Sequence, residues 1–318
     1  MKKIFIDGAE GTTGLKIFER FRNRDDIELL KIDPELRKDT EERKRLINAS
    51  DITFLCLPDA AAIEAVGLVE NPDTVIIDTS TAHRTCEGWA YGFAELGDDF
   101  RKNIQNSKRI ANPGCHASGF VSLVYPLVKA GIIRKDAQLC CFSLTGYSGG
   151  GKKMIAEYEG NERAEELKSP RQYGLNQQHK HLKEMQIICG LDKAPMFSPI
   201  VADYYSGMEV SVFIYPELLQ NPADKENLCE KLVNVYKRQY NDSCLISVRD
   251  LGYEQETRGF YGSNNLSGKD SLEILVNGND ERAVVTSRFD NLGKGASGAA
   301  IQSMNIVMGV KEVTGLVI

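Results

Sequence analysis

A cysteine stands one step beyond a Pro-Gly turn in Asn112-Pro113-Gly114-Cys115, at the first position of an apolar helical run through Phe120, Leu123, Val124 and Leu127. The first-turn N–H groups of a helix have no internal partners and carry partial positive charge, which stabilises a thiolate and lowers its pKa. Such a thiolate is a nucleophile at neutral pH. A buried structural cysteine is the other reading of the same stretch. A second chemical cluster is Gln177-Gln178-His179-Lys180-His181-Leu182-Lys183-Glu184, at an expected helix start. His181 and Glu184 stand three residues apart and share a helix face, where a carboxylate can orient an imidazole and raise its basicity. That is a general acid–base arrangement. The His-x-His spacing also suits a metal, but no third ligand follows at metal spacing, so no metal site is expected. Two exposed helix histidines are the plain alternative.

Two glycine-rich turns could receive anions. Gly8-Ala9-Glu10-Gly11-Thr12-Thr13-Gly14 follows an apolar strand at residues 2–7 and precedes a helical face of Leu15, Phe18 and Phe21. In that context glycines let the backbone approach a pyrophosphate at a helix N-terminus. Glu10 takes the place of the second glycine of the commoner dinucleotide fingerprint. The other turn, Thr145-Gly146-Tyr147-Ser148-Gly149-Gly150-Gly151-Lys152-Lys153, is either an anion cradle or a mobile linker. Asp33 ends the second strand with Arg37 and Lys38 behind it. The acid suits the free 2′-hydroxyl of NAD and the cations the 2′-phosphate of NADP, unless those cations only begin a solvated charge run. At the carboxyl edge of the fourth strand, Asp78-Thr79-Ser80-Thr81-Ala82-His83-Arg84 offers Ser80 as a cofactor contact. His83 and Arg84 there either touch ligand or are simply solvated.

These groups need a scaffold, and apolar strands at 2–7, 27–32, 52–57 and 74–78 alternate with helices at 39–49 and 59–70. That alternation is the pattern of a parallel sheet covered on both faces, a Rossmann-type α/β domain. Beyond residue 140 the pattern changes. Strands at 137–144, 208–215, 244–249, 271–276 and 282–289 surround a helix at 225–240, which suggests an α+β domain with a mixed sheet. Residues 157–168 are strongly charged and expected to be exposed. The small-residue stretch 290–300 leads into a last helix that returns to the first domain. A chain of 318 residues is long enough for two domains. Its net charge of -6 with dispersed cations argues against nucleic-acid binding. No signal peptide or membrane span is expected, and a cytosolic location follows. The eight cysteines are scattered without a C-x-x-C pair, so reduced thiols are expected, with neither disulfides nor zinc.

With Gly8 to Gly14, Asn112-Pro113-Gly114-Cys115, His179-Lys180-His181 and Asn291-Leu292-Gly293-Lys294-Gly295-Ala296 in this order, the chain resembles the shorter form of the N-acetyl-gamma-glutamyl-phosphate reductases. The resemblance runs nearly end to end. It implies the fold shared with semialdehyde and glyceraldehyde-phosphate dehydrogenases, with an NADP-binding domain of residues 1–114 completed by 291–318, and a catalytic and dimerisation domain of 115–290. It further implies NADPH-dependent reduction of an acyl phosphate to a semialdehyde in arginine biosynthesis, through a Cys115 thioester. His181, oriented by Glu184, then serves as acid–base, and His179, Ser148 and Gly149 lie with substrate. Gly8, Gly11, Thr12, Thr13, Gly14, Arg37, Lys38, Ser80, Asn291, Lys294 and Gly295 lie with the dinucleotide. A homo-oligomer, dimer or tetramer, is implied as well, and the alternating strand 208–215 could serve its interface. His116 stands where longer members carry an aromatic. An aspartate-semialdehyde dehydrogenase, using the same thiol chemistry, and a non-catalytic NADP sensor are the alternatives.

Overall fold

The computed structural model describes residues 1–318. The chain divides into two compact units, Met1–Gly114 with Ala296–Val317, and Cys115–Gly295.

In the first unit, β1 (Lys2–Asp7), α1 (Thr12–Phe21), β2 (Ile27–Leu30), α2 (Thr40–Ala49), β3 (Ile52–Leu55), α3 (Asp59–Gly67), β4 (Val75–Asp78), β5 (Ala90–Tyr91), α4 (Asp98–Asn106) and β6 (Arg109–Ala111) follow in order. The strands form one parallel sheet in the order β2-β1-β3-β4-β6-β5. Strand alternation sends Ile4 and Ile6 to one face with Ile17 and Phe21 of α1, and Phe5 to the other with Leu46, Ile47, Ala62 and Ala65 of α2 and α3. Covering both faces is what makes these strands near-continuous apolar runs. The last helix of the chain, Gly298–Met308, packs Ala300, Ile301 and Met304 into the first of these cores. The expected helix at 39 begins one residue later because Asp39 caps it, its carboxylate accepting from Glu42 N at 2.8 Å.

The second unit contains α5 (Cys115–Lys129), β7 (Cys140–Gly146), α6 (Gly151–Glu159), β8 (Arg171–Gln172), α7 (His181–Cys189), β9 (Met196–Ala202), β10 (Met208–Ile214), α8 (Leu228–Tyr240), β11 (Ile246–Val248), α9 (Tyr253–Glu256), β12 (Leu272–Asn279) and β13 (Arg282–Phe289). Its mixed sheet runs β11-β12-β13-β10-β7-β9-β8. One face is covered by α5 and α8, which are tied by Tyr236 Oη donating to Leu123 O at 2.9 Å and Tyr240 Oη to Ser122 O at 2.7 Å. The other face carries half-buried Phe142, Leu144 and Ile200 beside Phe213, which is 40% exposed, and Met196, which is 67% exposed. The charged segment 157–168 is not wholly exposed: Tyr158 and Leu167 are buried and form a small core with Val201.

Candidate active site

Cys115 is the first residue of α5, and the backbone of Gly295 passes directly over it. A Cβ on Gly295 would lie 3.0 Å from Cys115 Cβ and 3.1 Å from the Phe289 ring. The absence of a side chain at 295 therefore sets where the thiol sits. Gly295→Ala is expected to shift the sulfur by a few tenths of an ångström and lower kcat about tenfold or more with little loss of stability. Steady-state kinetics beside a melting curve checks this. Three other thiols are held from chemistry by burial, which pushes Cys56 up to about 12 and raises Cys141 and Cys189 as well.

The imidazoles gather around the start of α5. His116 lies 5.6 Å from His179 and 5.5 Å from His181 between ring centroids, and those two are 4.8 Å apart. Phe197 of β9 packs edge-on against His116 and His179. His179 stands outside α7, and its Nδ1 accepts from the backbone N of His181 at 3.2 Å. That ring therefore satisfies a first-turn donor of the helix, as an N-cap side chain does. Burial, with Lys180 adding to it, holds His179 down at about 4, so it is neutral at pH 7. His181 and Glu184 both lie in the first turn of α7 and both are buried rather than exposed. No group of three or more His, Cys, Asp or Glu is arranged to hold a metal ion.

The second glycine turn is an ordered structure leading into α6. Ser148 Oγ accepts from Asn291 Nδ2 at 3.0 Å, and Asn291 Oδ1 accepts from Gly207 N at 2.9 Å. Gly149 lies against the same amide, a Cβ there falling 3.5 Å from Asn291 Nδ2. Asn291, expected among the cofactor contacts, thus spends both ends of its side chain on the turn and on Gly207. Lys294 is 2% exposed.

In the first unit, Gly8 turns out of β1 with φ +86°, and a Cβ on it would meet the Cys56 carbonyl oxygen at 2.4 Å. Only glycine fits. Gly11 precedes α1 without any side-chain cap, so the first-turn N–H groups of that helix face the turn. Thr12 Oγ1 is buried there with no hydrogen-bond partner in the protein. A buried hydroxyl left in this way beside bare helix donors fits a dinucleotide phosphate. Arg37 pairs with Glu10 at 2.5 Å, which holds its guanidinium beside the glycine turn, while Lys38 is exposed. The charge run is not simply solvated either: Arg43 is buried and pairs with Asp7 at 3.0 Å.

Asp78, Ser80, His83 and Arg84 are buried rather than solvated. Ser80 Oγ donates to Asp78 Oδ2 at 2.7 Å, and His83 Nδ1 lies 2.6 Å from the same oxygen while its ring stacks on Trp89. Arg84 Nε donates to Asn112 O at 2.9 Å and so ties down the turn ahead of Cys115. Ser80, like Asn291, is committed to protein partners.

N-acetyl-gamma-glutamyl-phosphate reductase 2 of Nostoc sp. (strain PCC 7120) is 40% identical over 99% of both chains. The reductases of Trichormus variabilis and Burkholderia ambifaria are 41% and 40% identical, over 99% and 96% of both chains. The chain belongs to the N-acetyl-gamma-glutamyl-phosphate reductase family. A family model described as semialdehyde dehydrogenase, dimerisation domain, matches residues 115–291 of this reductase-family chain. Among solved structures, aspartate semialdehyde dehydrogenase II of Vibrio cholerae has a TM-score of 0.70 at 16% identity, covering 97% of this chain and 98% of its own. The Francisella tularensis enzyme has a TM-score of 0.72 at 14% identity over 97% of this chain and 100% of its own. At such identity the likeness extends to the fold alone. No helix is long and apolar enough to cross a membrane.

Three residues of the site had no signal in the sequence. Tyr173 reaches His116 Nε2 at 2.6 Å, Ser143 reaches its Nδ1 at 2.6 Å, and Phe197 walls the imidazoles. None of them belongs to a spaced motif; sheet register alone brings them in. For His116 the one available signal was its place next to the cysteine.

Proposed function

We propose that the chain is an NADPH-dependent reductase that converts N-acetyl-gamma-glutamyl phosphate to N-acetylglutamate 5-semialdehyde and phosphate, a step of arginine biosynthesis, in the cytoplasm. The observation that carries the reading is identity near 40% along the whole chain with reductases of that name. The thiol at the start of α5, next in sequence to His116, whose ring lies 5.6 Å from His179 and 5.5 Å from His181, is consistent with it.

Cys115 Sγ adds to the acyl carbon, and the oxygen that becomes negative faces the N–H groups at the start of α5. The carbon–oxygen bond to phosphate breaks and a thioester remains on Cys115. A bound nicotinamide supplies the hydride that reduces the thioester carbon. Cys115 then leaves as the thiolate when the tetrahedral species collapses to the aldehyde. His181, oriented by Glu184, takes and returns the thiol proton. His179 stays neutral and, with Nδ1 occupied by the helix, carries its proton on Nε2, where it can donate to substrate. Ser148 and Gly149 shape the substrate side through the Asn291 network, Gly295 lies over Cys115, and Lys294 lies with the dinucleotide.

Gly8, Gly11, Thr12, Thr13 and Gly14 hold the dinucleotide pyrophosphate, and Ser80 supports the sheet edge beside it. Arg37 and Lys38 take the 2′-phosphate, which favours NADPH over NADH. Arg37→Ala should weaken NADPH binding about tenfold or more and leave NADH nearly unchanged. An unaltered NADPH to NADH ratio removes Arg37 from this role. The exposed apolar sheet face bearing Phe213 serves homo-oligomer assembly, as such patches do. Sedimentation of the purified chain checks it, and a monomer at micromolar concentration contradicts it.

Phosphate-dependent reduction of NADP with N-acetylglutamate semialdehyde tests the whole reading. Aspartate semialdehyde as the better substrate would favour the dehydrogenase alternative. No reaction with either would favour a sensor.

A further inference from the structure

Ser143, His116 and Tyr173 form a chain of three side chains whose hydrogens can be placed. His116 Nδ1 lies 2.6 Å from Ser143 Oγ, and Nε2 lies 2.6 Å from Tyr173 Oη. Ser143 is fully buried on β7, and His116 is the sole hydrogen-bond partner of its hydroxyl. A buried hydroxyl hydrogen left without an acceptor forfeits its hydration for nothing in return. Ser143 therefore donates and Nδ1 accepts. A neutral imidazole carries one proton, so that proton is on Nε2 and is donated to Tyr173 Oη. Burial, with His179 and Lys180 adding to it, pulls His116 down to about 3, so the ring is neutral throughout the working range. In the opposite tautomer Nε2 would consume the phenol hydrogen, and the Ser143 hydrogen would be stranded.

The direction of these bonds decides what Tyr173 can do. Its oxygen accepts from His116, and no other side-chain hydrogen bond holds its O–H. The phenol sits beside the thiol centre because sheet register places it there. Ser143 is level with Pro199 across β7 and β9, and Tyr173 N bonds to Pro199 O at 3.0 Å, so all three lie in one row. His116 of α5, next in sequence to Cys115, closes over that row. Burial and then the charge of Cys115 raise the phenol well above its ordinary range, so Tyr173 keeps its proton and acts as a donor.

We propose that Ser143 and His116 are positioning residues that fix one imidazole tautomer and so present the Tyr173 O–H to the oxygen that becomes negative when Cys115 adds to the acyl carbon. The proposal rests on the reductase reading given above. It adds a donor to those of the α5 terminus and explains why a histidine can follow the cysteine.

The test combines kinetics with a tautomer measurement. Tyr173→Phe should lower kcat with the acyl phosphate about a hundredfold while KM changes little, the effect of deleting one oxyanion donor. Ser143→Ala should lower kcat about tenfold by freeing the tautomer, Ser143→Thr should restore it, and Tyr173→Phe with Ser143→Ala should be no slower than Tyr173→Phe alone. Imidazole 15N resonances of the unsubstituted protein, with His116 assigned by loss in His116→Gln, should show a bare Nδ1 and a protonated Nε2. Full kcat in Tyr173→Phe, losses that multiply in the double variant, or a protonated Nδ1 each overturn the proposal. The resonance measurement needs no variant to fold beyond the one used for assignment. A wild-type protein inert towards the acyl phosphate would defeat the reductase reading and this role of Tyr173 together. Turnover with a protonated Nδ1 would defeat the role alone.

Discussion

Cys115→Ser is expected to lower kcat by about 10⁴-fold or more while the dinucleotide still binds. Serine is nearly isosteric, so the packing under Gly295 should survive, where a Cβ would already stand 3.0 Å from Cys115 Cβ. What is lost is the ionisable sulfur. The start of α5 can favour a thiolate, but a hydroxyl at the same place remains protonated at neutral pH and, once acylated, leaves the reduced tetrahedral species far less readily than a thiolate does. The glycine turn and Thr12 belong to the other unit and should be untouched, so fluorescence titration with NADPH should give the wild-type affinity. Retained turnover would mean that no covalent intermediate forms on this residue.

His181→Asn is expected to lower kcat about 10²- to 10³-fold, with a smaller change in KM. The structure separates the two histidines of His179-Lys180-His181. His179 accepts from the first N–H of α7 and is held near 4, so it does not titrate between pH 6 and 8. If kcat/KM shows a histidine limb in that range, it should vanish in His181→Asn. His179→Asn keeps a side chain suited to capping α7 and should retain the limb. If His179→Asn abolished it and His181→Asn did not, the two roles would be exchanged.

Much of the scaffold was legible because its strands are apolar and its helices one-sided. Residues 52–57 announce a buried strand, and β3 occupies Ile52–Leu55 with all four residues buried. β9 has no counterpart among the expected strands, and Met196–Ala202 contains Pro199, a residue that argues against a strand. The structure shows why it is tolerated. The Pro199 carbonyl bonds to Tyr173 N, so the missing donor faces the short strand β8 at the sheet edge rather than β7. The site divides in the same way. Cys115, His181 and the first glycine turn could be read because each carries its chemistry in a local pattern. The His116 relay could not, since Ser143 lies 27 and Tyr173 57 residues away in sequence. At Asp78–Arg84 polar residues allow a ligand contact or a solvated edge, and the structure departs from the second of these. Asp78 draws Ser80 and His83 inward instead, because a buried carboxylate must be met by donors.

The covalent step can be isolated by withholding the reductant. Intact-mass and peptide mass spectrometry of the protein mixed with N-acetyl-gamma-glutamyl phosphate, in the absence of NADPH, should find one N-acetylglutamyl group on Cys115 and an equal amount of phosphate released. Chain that stays unmodified, or that carries the acyl group elsewhere while turning over normally once NADPH is added, would contradict a Cys115 thioester.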